Sequence, residues 1–247
     1  MLMLISSVLD KRWTRKLYFN HISPAFRGSQ VVAYVSPYSK LKSKELKEFE
    51  WRAHYFFTTT EIQFREFENE KAIPFNRVRY LIASVAAQMT FRLPDDCFSI
   101  YHRIIIYPDY YYSRVNKTYH KGETNPSAGI MVFSLRGIVE GFDLPYDGVN
   151  LLYHEMAHAL YLEHKGMPYN LFDEEIFDQF HRYANDILSQ EQPGDFFLRP
   201  YALTNVSEFF AVATENFFER STELNQALPD LYRILKDLYR QDPLLLK

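Results

Sequence analysis

Cysteine is nearly absent from this chain: Cys97 is the single one in 247 residues. No intrachain disulfide can form, and a thiol-rich metal site is excluded. Charge is nearly balanced, at −3, so the overall field gives no reason to expect nucleic acid or an anionic membrane as the main partner. Long hydrophobic runs are missing. The apolar stretch MLMLISSVL has about nine residues, whereas a spanning helix needs roughly 20. Its positive charges follow the apolar run instead of preceding it, so it does not read as a secretory signal and is expected to pack on the domain. These absences fit a cytoplasmic protein with no membrane span. No repeat, low-complexity tract or interdomain linker is visible.

Aromatic residues are plentiful, at 17% with 19 Tyr and 21 Phe, so much of the core is expected to be large and flat. Hydrophobic residues make up 47% and charged residues 24%, an ordinary globular balance in a chain long enough to bury a real core. Helices are expected over SKLKSKELKEFEWRAHYFF, over IPFNRVRYLIASVAAQMTF with Pro74 at its start, and over YDGVNLLYHEMAHALYLEH with Asp147 as N-cap. Three more are expected in DEEIFDQFHRYANDILSQEQ, TNVSEFFAVATENFFERS and PDLYRILKDLYRQDP. YHRIIIYP and GIMVFSL read as strands, QVVAYVSPY as a short strand or extended arm, and DYYYSRVNKTYHKGETNPSAG as a long loop. The order gives an α+β domain, mostly helical with a small sheet. Residues 1–38 form an unassigned extension and 39–247 a single domain, with an upper part 39–164 and a lower part 165–247.

The third helix carries the chemistry. His154 and His158 lie four residues apart, so both imidazoles share one face, one turn apart, and can reach one metal ion. Glu155 follows the first histidine, placed to act on water at such a metal as a general base. The helix is apolar on most sides and therefore expected to be buried. The competing reading is a pair of satisfied core histidines beside a surface glutamate.

A third ligand has two candidates. His164 lies six residues after His158, but the glycine that would turn the chain between them is absent; Tyr161 stands there. On a continuing helix His164 falls about 120° round from His158, so it is expected to point away as a helix-end histidine, where positive charge is favoured. The other candidate lies in SEFFAVATE, where Glu208 and Glu215 sit seven residues apart on one face of an apolar helix. Two like charges so placed need a reason. A natural one is that Glu208 binds the metal while Glu215 supports a ligand or pairs with a cation; the other is an exposed stripe.

At these residues the chain resembles the Mlc titration factor A family of zinc metallopeptidases. The likeness rests on HEMAH, on SEFFAVATENFFE at 207–219 and on LPDLYRILKDLYRQDP at 228–243, with IIIYP and GIMVFS upstream. It implies a zincin-like fold akin to the catalytic domain of anthrax lethal factor. It implies one Zn2+ per chain held by His154, His158 and Glu208, Glu155 as base, and Tyr201 as donor to the oxyanion. The chain departs from its relatives at Tyr161 and Arg199, where aspartate is common.

The expected function is peptide-bond hydrolysis by metal-activated water, with the edge of GIMVFSL available to an extended peptide; the tyrosine-rich segment 109–119 is expected to be an ordinary surface loop, the other reading being a rim of the cleft. An alternative is a zinc-bound regulatory protein that sequesters a partner such as a transcription regulator with little proteolysis. A di-iron bundle would need a second Glu-x-x-His pair, for which Asp178 with His181 is the nearest match.

Overall fold

The computed structural model of the chain describes residues 41–68, 75–113, 117–192 and 194–246. The N-terminal extension, the segment QVVAYVSPY and Pro74 lie outside the described residues. Helix α1 (Ser43–Thr59) leads directly into strand β1 (Glu61–Phe64), and α2 (Phe75–Thr90) packs on α1. Strand β2 (Arg103–Tyr107) runs parallel to β1 in the sheet, and Ile104, Ile105 and Ile106 are all buried, as expected of an inner parallel strand.

The tyrosine-rich stretch is not a plain loop. It forms a hairpin of β3 (Tyr111–Ser113) and β4 (Thr118–His120), then strand β5 (Gly122–Asn125). β5 pairs antiparallel with β6 (Ile130–Ser134), which pairs parallel with β2, giving the order β1-β2-β6-β5. The strand in GIMVFSL is therefore internal, with its backbone bonded on both sides, and cannot dock a peptide. The open edge on the side of the candidate site belongs to β5.

Ser134 caps the short helix α3 (Leu135–Asp143) by accepting from the Gly137 amide. A turn follows in which Tyr146 and Gly148 both take positive φ. That turn prevents Asp147 from starting the next helix; its carboxylate instead accepts from the Val149 amide at 2.8 Å. Helix α4 (Leu151–Gly166) begins after Asn150, whose side chain accepts from the amides of Leu152 and Tyr153. It runs unbroken through His164. α4 packs on α6 (Val206–Glu219) and also touches α2, α3, β5 and β6. Helix α5 (Glu174–Leu188), α7 (Ser221–Ala227) and α8 (Pro229–Tyr239) complete an α+β fold, mostly helical with a small sheet.

The core is aromatic. Tyr101, Phe133, Phe172, Phe180, Phe210, Phe217 and Tyr239 are among the largest fully buried side chains. Among the described residues no helix is long and apolar enough to cross a membrane.

Candidate metal centre

The packing of α4 against α6 brings three donor atoms to one point. Nε2 of His154 lies 3.2 Å from Nε2 of His158. Glu208, in the first turn of α6, places Oε2 at 3.2 Å from His154 Nε2 and 3.3 Å from His158 Nε2. Donors bonded to a tetrahedral ion at roughly 2.0–2.1 Å stand about 3.3–3.4 Å apart, so the triangle has the right size. Glu208 Oε2 is also buried without a hydrogen-bond partner. A shared cation is what two imidazole nitrogens and a carboxylate at these separations fit. No other cluster of three such ligands occurs among the described residues.

Each member is held from behind. Asn205 caps α6 by accepting from the Glu208 amide at 3.0 Å, which fixes the turn that carries the carboxylate. His158 Nδ1 lies 3.0 Å from Ser207 Oγ, and His154 Nδ1 lies 2.6 Å from Glu215 Oε1. An acceptor-only carboxylate assigns the His154 proton to Nδ1 and leaves the Nε2 lone pair for the metal.

Glu215 is fully buried and uses both oxygens twice. Oε1 takes His154 Nδ1 and Arg199 Nη2 at 2.6 and 2.8 Å; Oε2 takes Arg199 Nη1 and the Asn150 amide at 2.7 and 2.8 Å. One carboxylate thus ties the start of the histidine helix to the first histidine. Its charge is answered by a two-pronged guanidinium. Arg199 is the cation for that buried charge. Tyr161 packs among Phe177, His181 and Phe210 and lies 3.2 Å from His181 Nε2 through its hydroxyl.

The electrostatics ask for positive charge at this point. Burial alone would lower the His154 pKa, but Glu208 and Glu215 raise it to about 10. Burial alone would raise the Glu208 pKa, but the two imidazoles hold it well below the usual carboxylate range. Burial pushes the Glu155 carboxyl up, and burial with the nearby Glu208 charge pushes the Tyr201 hydroxyl up to about 12.

A cleft of about 500 Å³ opens beside the triad, with His154, Glu155, Tyr119, Leu151 and Tyr201 among its lining residues. Tyr201 comes from a short 3-10 turn, Pro200–Thr204; its ring is 5.9 Å from His154 and half exposed. Tyr119 brings the tyrosine-rich hairpin to the rim.

His164 stays apart from this cluster. Its ring packs edge-on to Phe172 and Phe177, and its nearest carboxylate is that of Glu174, 3.9 Å away. Burial lowers its pKa, with Glu174 acting the other way. Asp178 and His181 line a second cleft together with His164, on the α5 side. The residues that sequence reasoning missed are Asn150, Ser207 and Thr124. Each makes a tertiary hydrogen bond that no spacing rule encodes.

The profile described as glucose-regulated metallo-peptidase M90 matches residues 10–240. The chain belongs to the M90 family. Its similarity to an uncharacterized protein of Synechocystis is 28% identity over 191 residues, covering 69% of this chain and 68% of that one. The Mlc titration factor A of Pectobacterium atrosepticum is 36% identical over 125 residues, 47% of this chain and 46% of its own. That of Yersinia pestis is 28% identical over 163 residues, 58% and 60%. The chain therefore spans about half of one of these titration factors and 60% of the other. The M90 assignment makes the chain a metallopeptidase relative, and the triad is where its described residues fit a metal.

A half-buried acid near the cluster, Glu219, gives a pH signature. Burial pushes the Glu219 carboxyl up to about 8, with Glu215 and Asp147 adding to the effect against the Asn150 hydrogen bond. The folded state then holds a proton that the unfolded chain releases near 4.5, the ordinary value for a glutamate. Stability from this group is full below the unfolded pKa and falls as pH rises toward 8. Glu219→Gln keeps the group neutral. Its melting temperature should match the wild type near pH 5 and exceed it increasingly up to pH 8.5, by an amount on the order of a few kcal/mol in stability. A gap that does not change with pH would contradict the assignment.

Proposed function

We propose that the protein is a zinc-dependent peptidase, with residues 39–247 as one zincin-like domain. His154, His158 and Glu208 hold one zinc ion, Glu155 is the general base and Tyr201 the donor to the oxyanion. The observation that carries this reading is the triangle of donor atoms, 3.2–3.3 Å on each side, at a cleft that His154 and Glu155 both line. M90 membership and the absence of a membrane-spanning helix among the described residues are consistent with a cytoplasmic peptidase.

Bound zinc supplies Lewis acidity that makes water a nucleophile near neutral pH and polarises the scissile carbonyl. Glu155 accepts the proton of the attacking water and passes it to the leaving amine, so one water is consumed and one amide bond becomes an acid and an amine. Tyr201 donates to the developing oxyanion, a contact worth on the order of 3 kcal/mol. The peptide adds to the open edge of β5. There the Ser134 amide donates to the Lys121 carbonyl at 2.8 Å. In the antiparallel alternation this points Lys121, Glu123 and Asn125 at β6, and turns the amides and carbonyls of Gly122 and Thr124 outward.

The relatives named Mlc titration factor A favour a second role: binding of a transcription regulator such as Mlc, by sequestration. The two roles are compatible in one chain. Peptide hydrolysis that stops with a chelator and returns with zinc is the expected result for the peptidase. A zinc-loaded protein that cleaves no member of a diverse peptide library, yet binds the regulator, would overturn the peptidase reading.

A further inference from the structure

The strand at the open edge also touches the general base. Thr124 Oγ1 lies 3.0 Å from Glu155 Oε2 and 3.0 Å from the Glu155 carbonyl. A hydroxyl has one proton to give. The carbonyl belongs to the hydrogen-bond ladder of α4, and a carboxylate is the stronger acceptor, so the proton goes to Oε2.

Two residues back, Gly122 points at the same side chain. A Cβ on Gly122 would stand 2.7 Å from Glu155 Cγ, 2.8 Å from Oε1 and 2.8 Å from a methyl of Leu151. Gly122 and Thr124 lie on one face of β5 because strand side chains alternate. Glu155 therefore runs beneath the strand in a slot that only glycine leaves open, with one oxygen tied at its end. Its burial leaves few other partners for that oxygen.

We propose that Thr124 is the positioning residue for Glu155. Its hydroxyl ties Oε2 and leaves Oε1 to take the proton, and Gly122 leaves the space that this rotamer needs. The same two residues present the backbone groups on which an extended peptide would pair. Docking of the substrate and aim of the base are thus set by one four-residue strand. This inference rests on the peptidase reading of Glu155.

The test compares Thr124→Val, Thr124→Ser and Gly122→Ala in the full chain. Losing one hydrogen bond to a charged group predicts a fall in kcat of roughly 10- to 100-fold for Thr124→Val, with KM and zinc content unchanged. Thr124→Ser should restore most of it, because the hydroxyl returns. A second readout needs no activity: crystal structures of the metal-free proteins. Glu155 should keep its place in Thr124→Ser and leave it, or split between conformers, in Thr124→Val and Gly122→Ala. If Thr124→Val does not fold, Thr124→Ala carries the same comparison. An unmoved Glu155 in the valine or alanine variant overturns the proposal. If no variant and no wild type hydrolyses peptide, the peptidase reading has failed, and the crystal structures still decide whether Thr124 positions Glu155.

Discussion

Replacing Glu215 with alanine is expected to cost about 3–5 kcal/mol of stability and to weaken metal binding roughly 10- to 100-fold. The side chain is fully buried and accepts from His154, from both terminal nitrogens of Arg199 and from the Asn150 amide. Its removal strands a guanidinium, leaves the N-cap residue's amide without an acceptor and frees the His154 ring to change tautomer. Arg199→Ala should also destabilise, since it leaves the Glu215 charge buried without its cation. Because these residues share one network, Glu215→Ala and Arg199→Ala together should cost much less than the sum of the two single losses. Denaturant unfolding of the metal-free protein and zinc titration against a competing chelator measure the two effects. A Glu215→Ala protein within about 0.5 kcal/mol of wild type, the range of ordinary surface substitutions, would mean that the network does not hold the fold.

Glu155→Gln is expected to lower kcat roughly 100- to 10,000-fold while zinc stays bound. The amide is nearly isosteric and can still accept from Thr124, so the slot under β5 stays filled. It cannot take a proton from water. The zinc ligands are untouched, so metal content should equal that of wild type. Binding of a transcription regulator, where it occurs, should survive the change, which separates sequestration from proteolysis in one variant. Hydrolysis at the wild-type rate would remove Glu155 from the role of base.

How much of this was legible in the sequence differs from residue to residue. His154, Glu155 and His158 announced themselves through spacing alone, because a helix period of 3.6 dictates a shared face. Glu208 and Glu215 stood out as paired charges in an apolar helix, and the structure buries Glu215 fully. Tyr201 was one of 19 tyrosines, and only the family resemblance singled it out.

The misses have tertiary causes. GETN carries Gly, Glu and Asn, which are poor strand residues, so β5 read as loop; pairing with β6 makes it a strand. Helix α3 has two glycines in nine residues and was not expected. Its glycines permit close approach: a Cβ on Gly137 would meet Leu151 at 2.7 Å, and one on Gly141 would meet Asn150 at 3.1 Å. The start of α4 moved from Asp147 to Asn150 because the turn through Tyr146 and Gly148 takes positive φ. Such facts depend on what lies opposite in space, and local propensity carries no trace of them.

Metal content after two alanine substitutions decides which residue completes the site. The expected result is one zinc per chain in the wild type, loss of it in Glu208→Ala, and full retention in His164→Ala. Zinc kept by Glu208→Ala and lost by His164→Ala would contradict it.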